Sequence, residues 1–209
     1  MSQLFACQTA EGIVVAADGK AIDFDADGSV LHYQVERLVP LGSHAAILAG
    51  GAADGVDMCR AFASFVREEG LIHVDDIYSA GLPFLGSQYD RFMREKCERL
   101  PLDPVHHVHF ILAGHTAKDD RKPFRLYLIW TKKKLPQLDG DEIAHAYTVP
   151  RRMSLEYRLN KMCQRGAPLD EVFAQVKENM ESLTWYKEDV GPPFYYAKIT
   201  KDGLSRLGG

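Results

Sequence analysis

Along the first fifty residues, hydrophobic positions fall in short runs rich in β-branched and small side chains. The runs are residues 3–8, then GIVVAADGKAI, VERLVPL and HAAILAGG, with glycine- and aspartate-bearing stretches such as DFDADGS between them. Short apolar runs bounded by such residues predict strands joined by hairpin turns. At Ala52 the period changes. Met58, Phe62, Phe65 and Val66 recur at helical spacing while Arg60, Arg67 and Glu68 fall elsewhere, so residues 52–69 read as an amphipathic helix that Gly70 stops. Tyr78, Leu82, Leu85, Tyr89 and Phe92 mark a second helix, in which Pro83 is expected to produce a kink or a restart.

Strands return at VHHVHFILAG and FRLYLIWT, joined by the turn-like TAKDDRKP, and EIAHAYTV reads as one further strand. Leu155, Leu159 and Met162 define a third helix. Leu169, Val172, Phe173, Val176, Met180 and Leu183 give residues 169–185 one clean apolar face, with Pro168 suited to the first turn. The segment PFYYAKITKDGLSRL predicts a hairpin turning at Asp202-Gly203. The order is strands, two helices, strands, two helices, strands; both helix pairs have one apolar face, and so do most strands. Two sheets stacked face to face with a helix pair outside each would bury all of them, so the expected fold is α+β, a four-layer αββα sandwich. No linker or repeat divides the chain, and residues 1–209 are expected to form a single domain.

Composition narrows the function classes. A net charge of −4 argues against a nucleic-acid footprint, and no apolar run approaches the length of a membrane span. Lys132, Lys133 and Lys134 form the one dense basic run and read as a solvated hairpin tip. The N-terminus lacks a basic stretch followed by an apolar segment, so export is not expected. Cys7, Cys59, Cys97 and Cys163 have no CxxC spacing and read as reduced thiols of a cytoplasmic protein, with no metal knuckle and no cofactor implied. His107 and His109 would share a strand face usable by a metal. No carboxylate or cysteine lies near them in sequence, and polar strand histidines are the simpler reading. GGAADG lacks the lysine and serine of a phosphate loop, and Ser43-His44 and Ser87 assemble no triad.

EGIVVAADGKA, then VERLVPL, then ILAGGAADG opening a helix, with FILAGHTAKDDRKPFRLYLIW as a central hairpin, together carry a likeness: the chain resembles the proteasome β-subunit family. Element order matches from residue 2 to about residue 207, and the chain starts at the first strand, where α-type subunits carry an extra helix. The resemblance implies an N-terminal nucleophile hydrolase that assembles with copies of itself and cleaves peptides. In such an enzyme the hydroxyl of the first mature residue attacks, its own α-amine moves the proton, a lysine–aspartate pair supplies charge, and a glycine amide holds the oxyanion. Register puts Ser2 at the nucleophile, Asp18 at the orienting aspartate and Gly50 at the oxyanion glycine. Ser2 otherwise merely begins a strand.

The chain departs from the family pattern at three places. The lysine position holds Arg37 if one residue is missing before HAAILAGG, and Glu36 if not; Arg37 keeps a positive charge but does not exchange protons. Lys20, two residues beyond Asp18, is a substitute or a pocket-rim charge. YTVPRRMSLEYR has Arg151 and Arg152 where active members have a glycine–serine turn, and YKEDVGPPFYY keeps Glu188, Asp189 and Gly191 but puts Val190 before the glycine. The mechanism also needs Met1 removed. An inactive ring-forming or binding protein of the same fold is the alternative.

Overall fold

A computed structural model describes residues 2–24, 27–97, 106–132 and 137–207. Lys133, Lys134 and part of DFDADGS lie outside them, as does Met1. Three antiparallel sheets and four helices account for the described elements.

The first sheet is built around the opening strand β1 (Leu4–Gln8). It pairs with β2 (Ile13–Asp18) in a register that sets Leu4 opposite Ala17. β3 (Lys20–Phe24) and β4 (Val30–Gln34) form a separate two-stranded hairpin, with β4 exposed throughout. The second sheet runs in the order β5 (Leu38–Pro40), β6 (Ala45–Gly51), β7 (Val108–His115), β8 (Phe124–Thr131) and β9 (Leu138–Ile143). β10 (Ala146–Val149) crosses back to pair with β1, and β11 (Phe194–Thr200) and β12 (Gly203–Leu207) complete the first sheet beyond β2.

Helix α1 (Asp54–Glu68) follows β6, and Gly70 closes it at φ +64°, a left-handed conformation that glycine adopts without strain. Helix α2 (Val74–Cys97) comes next, then α3 (Met153–Gln164) and α4 (Leu169–Leu183) after β10. Strand alternation sorts the apolar residues of both sheets. Leu4, Ala6, Val15 and Ala17 face Leu48, Ile111 and Leu126 of the second sheet, whereas Phe5, Cys7, Val14 and Ala16 face Leu159, Val172, Val176 and Met180 of α3 and α4. On the far side of the second sheet, Ile47, Ala49, Phe110 and Leu112 pack with Phe62, Val66, Ile77 and Tyr89 of α1 and α2. Three apolar cores result.

Three local expectations need correction. α2 runs from Val74 to Cys97 and does not restart at Pro83; Leu82, Leu85, Phe92 and Met93, on both sides of the proline, pack with the outer core. EIAHAYTV is not one strand. His145 takes φ +69° between β9 and β10, so the segment leaves one sheet and enters the other. The strand read from VHHVHF begins at Val108, leaving His106 and His107 before it.

Candidate active site around Ser2

Ser2 is buried at 4% exposure directly before β1, and the end of β6 lies against it. A Cβ on Gly50 would stand 3.0 Å from Leu4 Cδ1 and 3.1 Å from Ser2 Oγ, so this approach depends on a residue with almost no side chain there. Gly51 has φ +88°, and a Cβ on it would meet the His107 carbonyl oxygen at 2.1 Å. Glycine is needed here for conformation and for space. Its amide donates to Ser2 Oγ at 3.1 Å. The amide that addresses the hydroxyl therefore belongs to Gly51, one residue beyond the glycine that register selected.

Behind Ser2, Asp18 ends β2 with no exposed surface. Its Oδ1 accepts the Gln3 amide at 2.7 Å, and its own amide donates to the Gln3 carbonyl at 3.1 Å. Arg37 Nε lies 3.8 Å from Asp18 Oδ1 and Nη2 donates to the Lys20 carbonyl at 3.3 Å. Arg37 is 4% exposed, and among the described residues its Nη1 and Asp18 Oδ2 have no hydrogen-bond partner. Burial pushes the Asp18 carboxyl up to about 6, against the opposing pull of the Gln3 amide and the Arg37 charge. Burial also lowers the pKa of Arg37, which stays protonated at any ordinary pH. Register thus delivers the Arg37–Asp18 pair, but among the described residues no hydrogen bond joins Arg37 to Ser2 Oγ. Lys20 turns elsewhere: its ammonium donates to the Glu188 carbonyl.

The front wall comes from residues whose role the sequence did not reveal. Gln3 Nε2 donates to the carbonyls of Val149 and Pro150 at 3.1 and 3.3 Å, and Gln3 Oε1 accepts from Arg152 Nε at 3.0 Å. Arg151 grips the buried Glu156 through Nε, at 2.8 and 2.9 Å to its two oxygens, and stacks 4.3 Å above the Tyr147 ring. Glu156 also accepts from Thr148 Oγ1 at 2.6 Å, and these donors pull its carboxyl below the ordinary range despite burial. The basic pair that replaces a glycine–serine turn is therefore a clamp that fixes the β10–α3 corner beside Ser2.

Ser2, Gly51, His107, His109, Tyr147 and residues 148–151 line an open cavity of about 290 Å³. A neighbouring cavity of about 440 Å³ shares His109 and Tyr147 and is lined by Trp130, Asp141 and Glu142. Burial, aided by the His107 charge, lowers the His109 pKa, so the ring is neutral at pH 7. Among the described residues no group of three or more His, Cys, Asp or Glu side chains assembles to hold a metal, and His107 and His109 serve as cavity wall. No described helix is long and apolar enough to cross a membrane.

These features, a serine at the start of an inner strand, a glycine amide facing its hydroxyl and a buried aspartate–cation pair behind it, sit on a fold of the proteasome β-subunit type. No family model matches the sequence, and no curated protein matches it. Among solved structures the chain is similar to Anbu (ancestral beta-subunit) from Yersinia bercovieri, with a TM-score of 0.67 and 13% identity. The match covers 99% of this chain and 87% of that one. It concerns the fold, which is proteasome-like.

Proposed function

We propose that the protein is a proteasome-β-like N-terminal nucleophile hydrolase that cleaves peptide bonds with the Ser2 hydroxyl once Met1 is removed. The observation that carries this reading is the Gly51 amide 3.1 Å from Ser2 Oγ at the wall of an open cavity. With Met1 gone, the Ser2 α-amine accepts the hydroxyl proton as Oγ attacks the substrate carbonyl carbon. An amide this close to the nucleophile reaches the carbonyl oxygen of a bound peptide and stabilises the charge that develops there. The amine product leaves with the proton, and water then hydrolyses the Ser2 ester. The Asp18–Arg37 pair supplies positive potential from behind and fixes the Gln3 backbone, which sets the position of Ser2.

The three apolar cores support a four-layer αββα sandwich, and the proteasome-like fold supports assembly of identical chains into a ring, with the cytoplasm as its place. A second reading, a non-catalytic scaffold of the same fold, is favoured by one observation: Arg37 is engaged by Asp18 and the Lys20 carbonyl, with no described bond to Ser2. Intact mass followed by a covalent probe for N-terminal nucleophiles separates the two. The catalytic reading expects loss of one methionine and probe attached at Ser2. A retained Met1, or a free Ser2 that stays unlabelled, selects the scaffold.

The pH dependence should carry a signature of Asp18. Its folded pKa, about 6, lies above the ordinary 3.8, so its titration contributes stability that is fully present below 3.8 and lost as pH rises through about 6. Activity should move the other way, falling on the acid side through about pH 6 as Asp18 takes up a proton and its carboxyl accepts more weakly from the Gln3 amide that positions Ser2. A pH–rate profile and thermal melts on the same buffers check this. An acid limb that coincides with unfolding would refute it.

A further inference from the structure

A pair of sulfurs lies outside the chemistry above. Cys7 is on β1 and fully buried, whereas Cys163 is in the last turn of α3 and partly exposed. Though 156 positions apart in sequence, their Sγ atoms stand 3.3 Å from one another. Both are free thiols, and closing that gap to a disulfide of about 2.05 Å asks each sulfur to move well under an ångström. Rotation about χ1 of Cys163, at the end of its helix, supplies motion of this size.

We propose that Cys7 and Cys163 are a disulfide-forming modification site, oxidised by hydroperoxides and reversed by thiols, that ties β1 to α3. The roles of the two sulfurs follow from their surroundings. Cys163 reaches solvent and so meets the peroxide first, whereas Cys7 has no exposed surface, and the contact with Cys163 together with burial pushes its thiol up. Cys163 is the attacking thiolate. It takes the distal oxygen of the peroxide as the O–O bond breaks, giving a sulfenic acid and hydroxide. The Cys7 sulfur then attacks the Cys163 sulfur. The S–S bond forms, the S–O bond breaks and the hydroxyl leaves as water with the Cys7 proton, so that two thiols and one peroxide give one disulfide and two waters. Cys59 lies in the separate core under α1, where burial pushes its thiol up, and it does not compete.

The pair also closes an open contact. Near the start of α3, Arg152 holds Gln3 beside β1, and the bond between Cys7 and Cys163 would fasten the other end of the helix to the same strand.

The test uses the full chain treated with hydrogen peroxide. Expected are two fewer thiols in denaturant, a mass lower by two hydrogens, and a non-reducing tryptic map in which the peptide ending at Lys20 is joined to residues 162–165. Dithiothreitol should restore both thiols. Because the cross-link closes a long loop, the melting temperature should rise by roughly 5–10 °C on oxidation. Cys163→Ser, at a partly exposed position, should fold normally and leave Cys7 unoxidised under the same treatment. Cys163 found as an unpaired sulfinic acid, a bridge to a different cysteine, or four thiols surviving the treatment would each overturn the proposal.

Discussion

Ser2→Ala is expected to lower kcat/KM for peptide hydrolysis by at least about 10³-fold while leaving the protein folded. The loss is large because no neighbouring group can replace the hydroxyl. Thr148 Oγ1 is committed to Glu156 and to the Arg152 amide, and among the described residues neither His107 nor His109 bonds Ser2 Oγ. Removing Oγ leaves the Gly51 amide without the acceptor it has at 3.1 Å, a cost of about 1 kcal/mol that cavity water partly offsets. The core under β1 is built by Leu4, Phe5, Ala6 and Cys7, which the substitution does not touch. The melting temperature should therefore move by no more than about 3 °C. Steady-state kinetics and a thermal melt of the same preparation check both halves. Hydrolysis that persists in the Ser2→Ala protein would assign the activity to another group.

How far the sequence foretold this arrangement depends on whether a residue acts through its pattern or through its backbone. The α1 and α4 faces were legible because Phe62, Val66, Val172, Val176 and Met180 repeat at the helical period, and every one is buried. β1 and β2 are buried on both faces, so their apolar runs are continuous, and glycine-bounded length identified them as strands. The β9–β10 break was not legible. Alternation carries on across Ala144-His145, and only a backbone angle at His145 turns the chain from one sheet into the other. Pro83 misled for a related reason. Local propensity argues for a break, yet packing against the outer core outweighs it.

The site divides along the same line. Ser2, Asp18 and Arg37 were marked by side-chain chemistry and register, and they do converge near the start of β1. Gly51 acts through its amide, which no sequence pattern distinguishes from any other amide. Gln3 gave no signal at all, although its backbone meets Asp18 and its side chain meets Arg152, Val149 and Pro150. The pair Arg151-Arg152 was visible as a departure from the family pattern. Its purpose emerges only once Glu156, one turn into α3, is seen beneath it.

Replacement of Arg37 separates a cation that serves the chemistry from one that serves the fold. Arg37→Ala should abolish hydrolysis and also lower the melting temperature by roughly 10 °C. It would leave Asp18, with no exposed surface, lacking its counter-charge, and stranding one member of a buried pair costs about 3–5 kcal/mol. Part of that cost is avoidable, because Asp18 without the Arg37 charge takes up a proton more readily than at its present pKa of about 6, so the loss of stability should shrink as pH falls toward 6. Arg37→Lys tests the chemistry directly. An ammonium keeps the charge beside Asp18, gives up the fork that bonds the Lys20 carbonyl and is compact enough to turn toward Ser2. Hydrolysis should be preserved or raised, with a small loss of stability. A scaffold built on the same ion pair behaves differently: no variant is active, and the alanine protein alone is destabilised. Hydrolysis unchanged by Arg37→Ala would remove Arg37 from the catalytic assembly, because a positive potential that can be deleted without effect on rate is not stabilising the transition state.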